Sequence, residues 1–194
     1  MQKVIKFMKS AVLAKDYPES NKPEIAIAGR SNAGKSSFIN ALTNNKVAKV
    51  SSTPGKTRLL NFFSMGDTYT MVDMPGYGFA ARSDGEQREW HKMIETYLTT
   101  REQVHGLVLV IDIRREWSKD EDLLKRFSDE KGFPIALVLT KADKLSRNQM
   151  IQAVAKMKKD SGVSAVFATS SLKKEGQDEI EDYIYDNWIK ESGD

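Results

Sequence analysis

Five near-continuous apolar runs punctuate the chain: Glu24-Ile25-Ala26-Ile27-Ala28, Thr68-Tyr69-Thr70-Met71-Val72, Gly106-Leu107-Val108-Leu109-Val110-Ile111, Pro134-Ile135-Ala136-Leu137-Val138-Leu139 and Val163-Ser164-Ala165-Val166-Phe167. Such runs predict strands covered on both faces. The stretches between them carry helical spacing, and three open on a capping box: Ser83 with Glu86, Ser118 with Glu121, and Ser146 with Gln149. Strand and helix therefore alternate. The expectation is a three-layer α/β domain with a mostly parallel sheet and helices on both faces. Leu59-Leu60-Asn61-Phe62-Phe63-Ser64, joined through Met65-Gly66-Asp67 to the strand at Thr68, predicts a hairpin and so one antiparallel edge strand. Ile180, Ile184 and Trp188 share one face of the last helix and read as a core stripe. No repeat, low-complexity tract or linker divides the chain, so residues 1–194 are expected to form a single domain with a short N-terminal extension, about 1–22.

Composition narrows the class without naming a function. Apolar residues make up 40% and charged residues 29%, ordinary for a globular protein. No apolar run approaches the roughly 20 residues of a membrane-spanning helix. The N-terminal MQKVIKFMKSAVLAKDYPES is interrupted by Lys6, Lys9 and Lys15, which argues for mature protein over a signal peptide. The absence of cysteine excludes disulfides and thiolate metal sites and fits a reducing cytoplasm. His91 and His105 lack partners at metal-ligand spacing. With a net charge of +3, any affinity for nucleic acid must come from clustered Lys and Arg.

Chemistry enters at GRSNAGKSS, residues 29–37, directly after the first apolar run and before the helical pattern Phe38-Ile39-Asn40-Ala41-Leu42. This fits GxxxxGKS in the strand, loop, helix setting that a phosphate-binding loop requires. Its glycines let backbone N–H groups turn inward around a phosphate, Lys35 supplies a charge for the outer phosphates, and the helix N-terminus adds its dipole. Ser36 is then placed for Mg²⁺. Thr140-Lys141-Ala142-Asp143, at the end of another apolar run, is the candidate reader of the base: a carboxylate at Asp143 accepts both N1–H and N2–H₂ of guanine, and the stem of Lys141 can lie across the ring. Ser170-Ser171 is either a second contact to the base, through backbone amides, or a simple turn.

DMPGYGF, residues 73–79, carries an Asp-x-x-Gly corner. Asp73 can reach Mg²⁺ through water, and the N–H of Gly76 can face a γ-phosphate. Upstream, KVAKVSSTPGK at 46–56 is polar with a Pro-Gly turn, and reads as a segment ordered by Mg²⁺ through Thr57, with Thr53 as a rival. The run 77–85 reads as a second mobile loop. Two segments ordered by one phosphate make a switch.

GRSNAGKSSFIN, SSTPGKTRLLNF, DMPGYGFA, the W-x-x-MIETYLTTRE that begins at Trp90, and TKADK together resemble the EngB (YihA/YsxC) type of bacterial ribosome-biogenesis GTPases, within the TrmE-Era-EngA-EngB-like P-loop GTPase superfamily. The resemblance spans roughly residues 17–188. It implies a P-loop GTPase fold, Mg²⁺-dependent binding of GTP and GDP, and a role in assembly of the large ribosomal subunit, as a cytoplasmic monomer with no DNA or membrane partner. Carried over, it implies that Gly29, Arg30, Ser31, Asn32, Ala33, Gly34, Lys35 and Ser36 hold phosphates, and that Ser36, Thr57 and Asp73 hold Mg²⁺. Gly55, Lys56, Thr57, Arg58 and Leu59 with Asp73, Met74, Pro75 and Gly76 would make switch contacts. Thr140, Lys141, Ala142 and Asp143 with Thr169, Ser170 and Ser171 would bind guanine. One departure is RREWSKDED after Ile113, where a His or Pro is expected soon after Asp112-Ile113-Arg114.

Many GTPases carry a water-positioning glutamine where this chain has Tyr77, so slow basal hydrolysis is expected, with Lys35, Thr57, Gly76 and Asn32 left to do the catalytic work. Asn32 stands where related potassium-stimulated GTPases bind K⁺, an internal substitute for an arginine finger. Ribosomal RNA or protein is the external one. Lys46, Lys49, Lys56 and Arg58, with Arg82 and Arg88, form a basic cluster suited to phosphate backbones. The rival classes are a self-assembling scaffold GTPase and a P-loop small-molecule kinase.

Overall fold

The protein is described from a computed structural model, which covers residues 5–43, 59–78 and 84–190. In chain order the elements are β1 (Ile5–Ala11), β2 (Glu24–Gly29), α1 (Lys35–Thr43), β3 (Leu60–Met65), β4 (Tyr69–Asp73), α2 (Asp84–Thr100), β5 (Val104–Asp112), α3 (Lys119–Lys131), β6 (Ile135–Thr140), α4 (Arg147–Ser161), β7 (Val166–Ala168) and α5 (Gln177–Ile184). The last of these continues into a π-wound turn, Tyr185–Ile189.

The strands form one sheet in the order β1-β3-β4-β2-β5-β6-β7. From β4 across to β7 all neighbours are parallel. The hairpin of β3 and β4 is antiparallel as its sequence predicts, but β3 is not the edge. Residues 5–11, read from sequence as part of an extension, form β1 and pair antiparallel with β3, with a register shift around Met8. Lysines at 6 and 9 broke the apolar pattern there; both are exposed, as befits an edge strand that buries little.

Alternation along β2 sorts the core. Ile25 and Ile27 face α1 and α5, among Phe38, Ile39, Leu42, Ile180, Ile184 and Trp188. Ala26 and Ala28 face the other layer, where α2 contributes Trp90, Ile94, Tyr97 and Leu98, α3 contributes Leu124 and α4 contributes Met157. The stripe of Ile180, Ile184 and Trp188 is buried, as expected. Trp188 lies so close to β5 that a Cβ at Gly106 would overlap its ring. The helix boundaries follow from their caps. Ser118 and Glu121 form a capping box at α3, Ser146 and Gln149 another at α4, and each helix ends on a left-handed glycine, Gly132 or Gly162. The third box, with Ser83, lies outside the described residues.

One buried polar cluster had no sequence signal. Glu24, fully buried at the start of β2, accepts Tyr97 Oη at 3.0 Å and the Arg101 guanidinium at 3.1 and 2.7 Å. Arg101 also donates to the Pro18 carbonyl at 2.8 Å and stacks 5.8 Å from the Tyr17 ring. Burial, then the Glu24 charge, pushes the Tyr97 phenol well above its ordinary value. The cluster ties the N-terminal segment to the C-terminal end of α2.

Candidate functional site

Strand order places the β2, β4, β5, β6 and β7 carboxyl ends along one rim, the side on which open α/β sheets receive ligands. β2 runs out at Gly29, where a Cβ would sit 2.8 Å from the Val110 carbonyl oxygen, so only glycine lets the loop leave between β4 and β5. The chain then turns through Asn32 and Gly34, both left-handed at φ 63° and 89°, before α1 begins at Lys35. Asparagine tolerates this conformation better than most residues, so the backbone alone gives a reason for Asn32. The result is a concave run of N–H groups with a helix N-terminus behind it.

The end of β6 braces this loop. Thr140 Oγ1 donates to the Ala33 carbonyl, and at 3.2 Å to that of Ile111. Lys141, itself left-handed at φ 60°, donates to the Asn32 carbonyl at 2.8 Å and pairs with Asp112 at 2.9 Å. Arg114 holds the same carboxylate at 2.9 and 2.6 Å. Those bonds, Arg114 first and then Lys141, keep the Asp112 carboxyl well below the usual range although burial opposes them. Asp112 is the residue that the sequence reading passed over here; its signal was an acidic residue ending a buried strand.

Asp143 lies beside Ser170, whose hydroxyl donates to Oδ1 at 2.7 Å. That bond lowers the Asp143 carboxyl, with Lys144 and Lys173 adding to it. The Asp143 carboxylate is thus ionised and aimed by a neighbour, as a guanine reader must be. The contribution of Ser170 differs from the expected one, because its N–H is committed to the Glu175 carbonyl at 3.0 Å. Thr169 is wholly buried, its N–H donating to the Leu139 carbonyl and its carbonyl accepting the Ala142 N–H. Met74 is likewise core, its N–H bonded to Ile27 at 2.9 Å.

The Asp-x-x-Gly corner closes the third side. Asp73 ends β4 and forms an ion pair with Lys35. Gly76 packs so tightly on the loop that a Cβ would stand 3.3 Å from the Gly29 carbonyl oxygen and 3.4 Å from Ser31 N. Tyr77 continues the contact: its N–H donates to Gly29 at 3.3 Å and its carbonyl accepts from Ser31 at 2.9 Å. Its side chain does not point toward the loop. It is buried, lies 5.7 Å from the Trp90 ring, and donates from Oη to Glu121 at 2.7 Å. Burial, and then Glu121, push this phenol well above its ordinary value. Sequence reading made residue 77 the start of a mobile loop; it is instead an anchored core residue, because the aromatic ring has a pocket between α2 and α3.

Gly55, Lys56, Thr57 and Arg58 lie outside the described residues, as do Thr53, Lys46, Lys49 and Arg82. Leu59 is described and exposed. Among the described residues no group of three or more His, Cys, Asp or Glu could hold a metal by itself. Of the expected Mg²⁺ ligands Ser36 and Asp73 are among the described residues, Ser36 in the first turn of α1 and Asp73 at the end of β4, and a hydroxyl and a carboxylate are hard oxygens of the kind that suit Mg²⁺ bound partly through phosphates.

Comparison with known proteins agrees with this geometry. Residues 24–141, more than half of the chain, match the family of 50S ribosome-binding GTPases. The chain is 73% identical over 191 residues to a probable GTP-binding protein EngB of Bdellovibrio bacteriovorus, covering 98% of this chain and 96% of that one. It is 44% identical to the corresponding protein of Clostridium beijerinckii, covering 92% of each. Among solved structures, a probable GTP-binding protein engB superposes with a TM-score of 0.70 at 22% identity, covering 84% of this chain and 97% of that one, and this likeness speaks for the fold. The P-loop GTPase architecture and the near-full-length identity lead to one conclusion: the chain belongs to the EngB family of GTP-binding proteins.

Proposed function

We propose that this GTPase is a slow, nucleotide-dependent switch in assembly of the large ribosomal subunit, needed for normal division through growth, and that it works as a monomer in the cytoplasm. The observation that carries the reading is the position of Tyr77: the phosphate loop, the Asp-x-x-Gly corner and Asp143 share one rim, while the side chain in the glutamine slot turns away from it. No side chain at that position orients the attacking water. A slow intrinsic rate follows, and in GTPases a stimulating group restores about 10³ to 10⁵ in rate.

In this reading Gly29 to Ser36 wrap the phosphates, Lys35 moves from Asp73 to the outer phosphates, Asp143 accepts the guanine donors, and the Lys141 stem covers the ring. Ser36, Asp73 and Thr57 would hold Mg²⁺, which would supply charge neutralisation at the phosphates. The Gly76 N–H faces the third phosphate. Asn32 takes K⁺ as the internal stimulant, and the ribosomal partner is the external one. The family description as ribosome-binding supports that partner, as does the basic run at 46–58.

Single-turnover GTP hydrolysis in K⁺ buffer, with and without purified large ribosomal subunits and with Na⁺ as control, tests the proposal. Acceleration by subunits is the expected result. Equal rates with and without them would remove the ribosome as the trigger.

A further inference from the structure

Position 77 and the departing loop after Ile113 meet in one bond. Glu121, 2% exposed, accepts the Tyr77 phenol on Oε1, while its Oε2 accepts both the N–H and the hydroxyl of Ser118. The carboxylate is therefore fixed by the N-terminus of α3 and cannot follow Tyr77 if that residue moves. The backbone bonds of Tyr77 to Gly29 and Ser31 would exist with any residue there. The phenol bond is the one that the tyrosine side chain adds. Next to Tyr77 in the chain, Gly76 is packed on the loop, where a Cβ would stand 3.3 Å from the Gly29 carbonyl oxygen. Either nucleotide draws Lys35 to its outer phosphate, but only a third phosphate asks that Gly76 be lifted so that its N–H can face the γ-oxygens.

We propose that Glu121 is a positioning residue for the phosphate-sensing corner, holding Tyr77 so that the protein is weighted toward the diphosphate over the triphosphate. This rests on the reading of Gly76 as the γ-phosphate sensor. The anchor acts as a coupling between α3 and nucleotide choice, and couplings of this kind commonly amount to about 5-fold to 150-fold in affinity.

The test is equilibrium binding of GDP and of a non-hydrolysable GTP analogue to the full chain, with Tyr77→Phe, Glu121→Gln and the double variant, each checked by thermal unfolding. Tyr77→Phe keeps the ring against Trp90 and removes only the bond; Glu121→Gln removes the charge from it. The expected result is a rise of about fivefold or more in the preference for the GTP analogue in Tyr77→Phe, a smaller rise in Glu121→Gln, and no further gain in the double variant. A merely structural role would lower both affinities together and leave their ratio alone. An unchanged or falling ratio in a folded variant overturns the inference, and Glu121→Gln is read alone should Tyr77→Phe fail to fold. If the parent binds both nucleotides while the ratios stay put, only this inference falls. If the parent binds neither, the switch reading falls with it.

Discussion

Two carboxylates on the rim, Asp112 and Asp143, are held in the ionised form by different neighbours, and each has its own consequence. Asp143→Asn replaces an acceptor of two guanine donors by an amide that presents a donor to one of them. GTP binding should weaken about a hundredfold or more, since charge-assisted hydrogen bonds are worth about 1.5–3 kcal/mol each. Xanthine nucleotides should gain in its place, which competition between GTP and XTP would measure. Asp112 speaks to stability. Its folded carboxyl lies below its unfolded value, so its stabilisation is fully present above the unfolded value, about pH 4, and is lost as pH falls through that point toward the folded value. The gap in unfolding midpoint between parent and Asp112→Asn should therefore hold steady near neutrality and narrow below about pH 4. Lys35→Ala should abolish nucleotide binding in a fluorescent-nucleotide titration, because it removes the point charge that the phosphate loop offers to the outer phosphates.

At the scale of elements, apolar runs and caps carried most of the fold. The five parallel strands, the hairpin and the capping boxes of α3 and α4 were legible because each rests on local chemistry: both-face burial, a Gly turn, a Ser with Glu or Gln three residues on. β1 was not, since an edge strand with exposed Lys6 and Lys9 has no period to show. The Glu24 to Arg101 pair was hidden for another reason: its members lie 77 residues apart and meet only when β2 and the end of α2 are packed. Tyr77 was placed correctly in the motif, but its side-chain direction depends on a pocket made by Trp90 and Glu121, which sequence spacing cannot orient. β5 offers a sharp check on packing. Gly106→Ala drives a methyl into the Trp188 ring, and overpacking of this kind costs about 1–3 kcal/mol. Urea denaturation should show that loss, and a smaller aromatic at Trp188 should recover part of it.

On the scale of the whole molecule, the sheet carries its nucleotide rim at one end and a buried ion pair near the other, where Glu24 begins β2. Arg101→Ala leaves a fully buried carboxylate with one neutral partner, and should lower stability by about 3–5 kcal/mol in thermal or urea unfolding while sparing nucleotide specificity. α2 is thus held at two points: Arg101, just past its C-terminal end, meets Glu24, while in its second turn Trp90 donates its indole N–H to the Pro75 carbonyl at 2.9 Å. That second bond makes the protein its own optical instrument. Trp90 touches both Pro75 and Tyr77, whereas Trp117 bonds to Asp122 and Trp188 is sealed in the opposite layer. Any lifting of the corner must change the polarity around one indole, so stopped-flow emission on mixing with nucleotide can time such a movement without a dye.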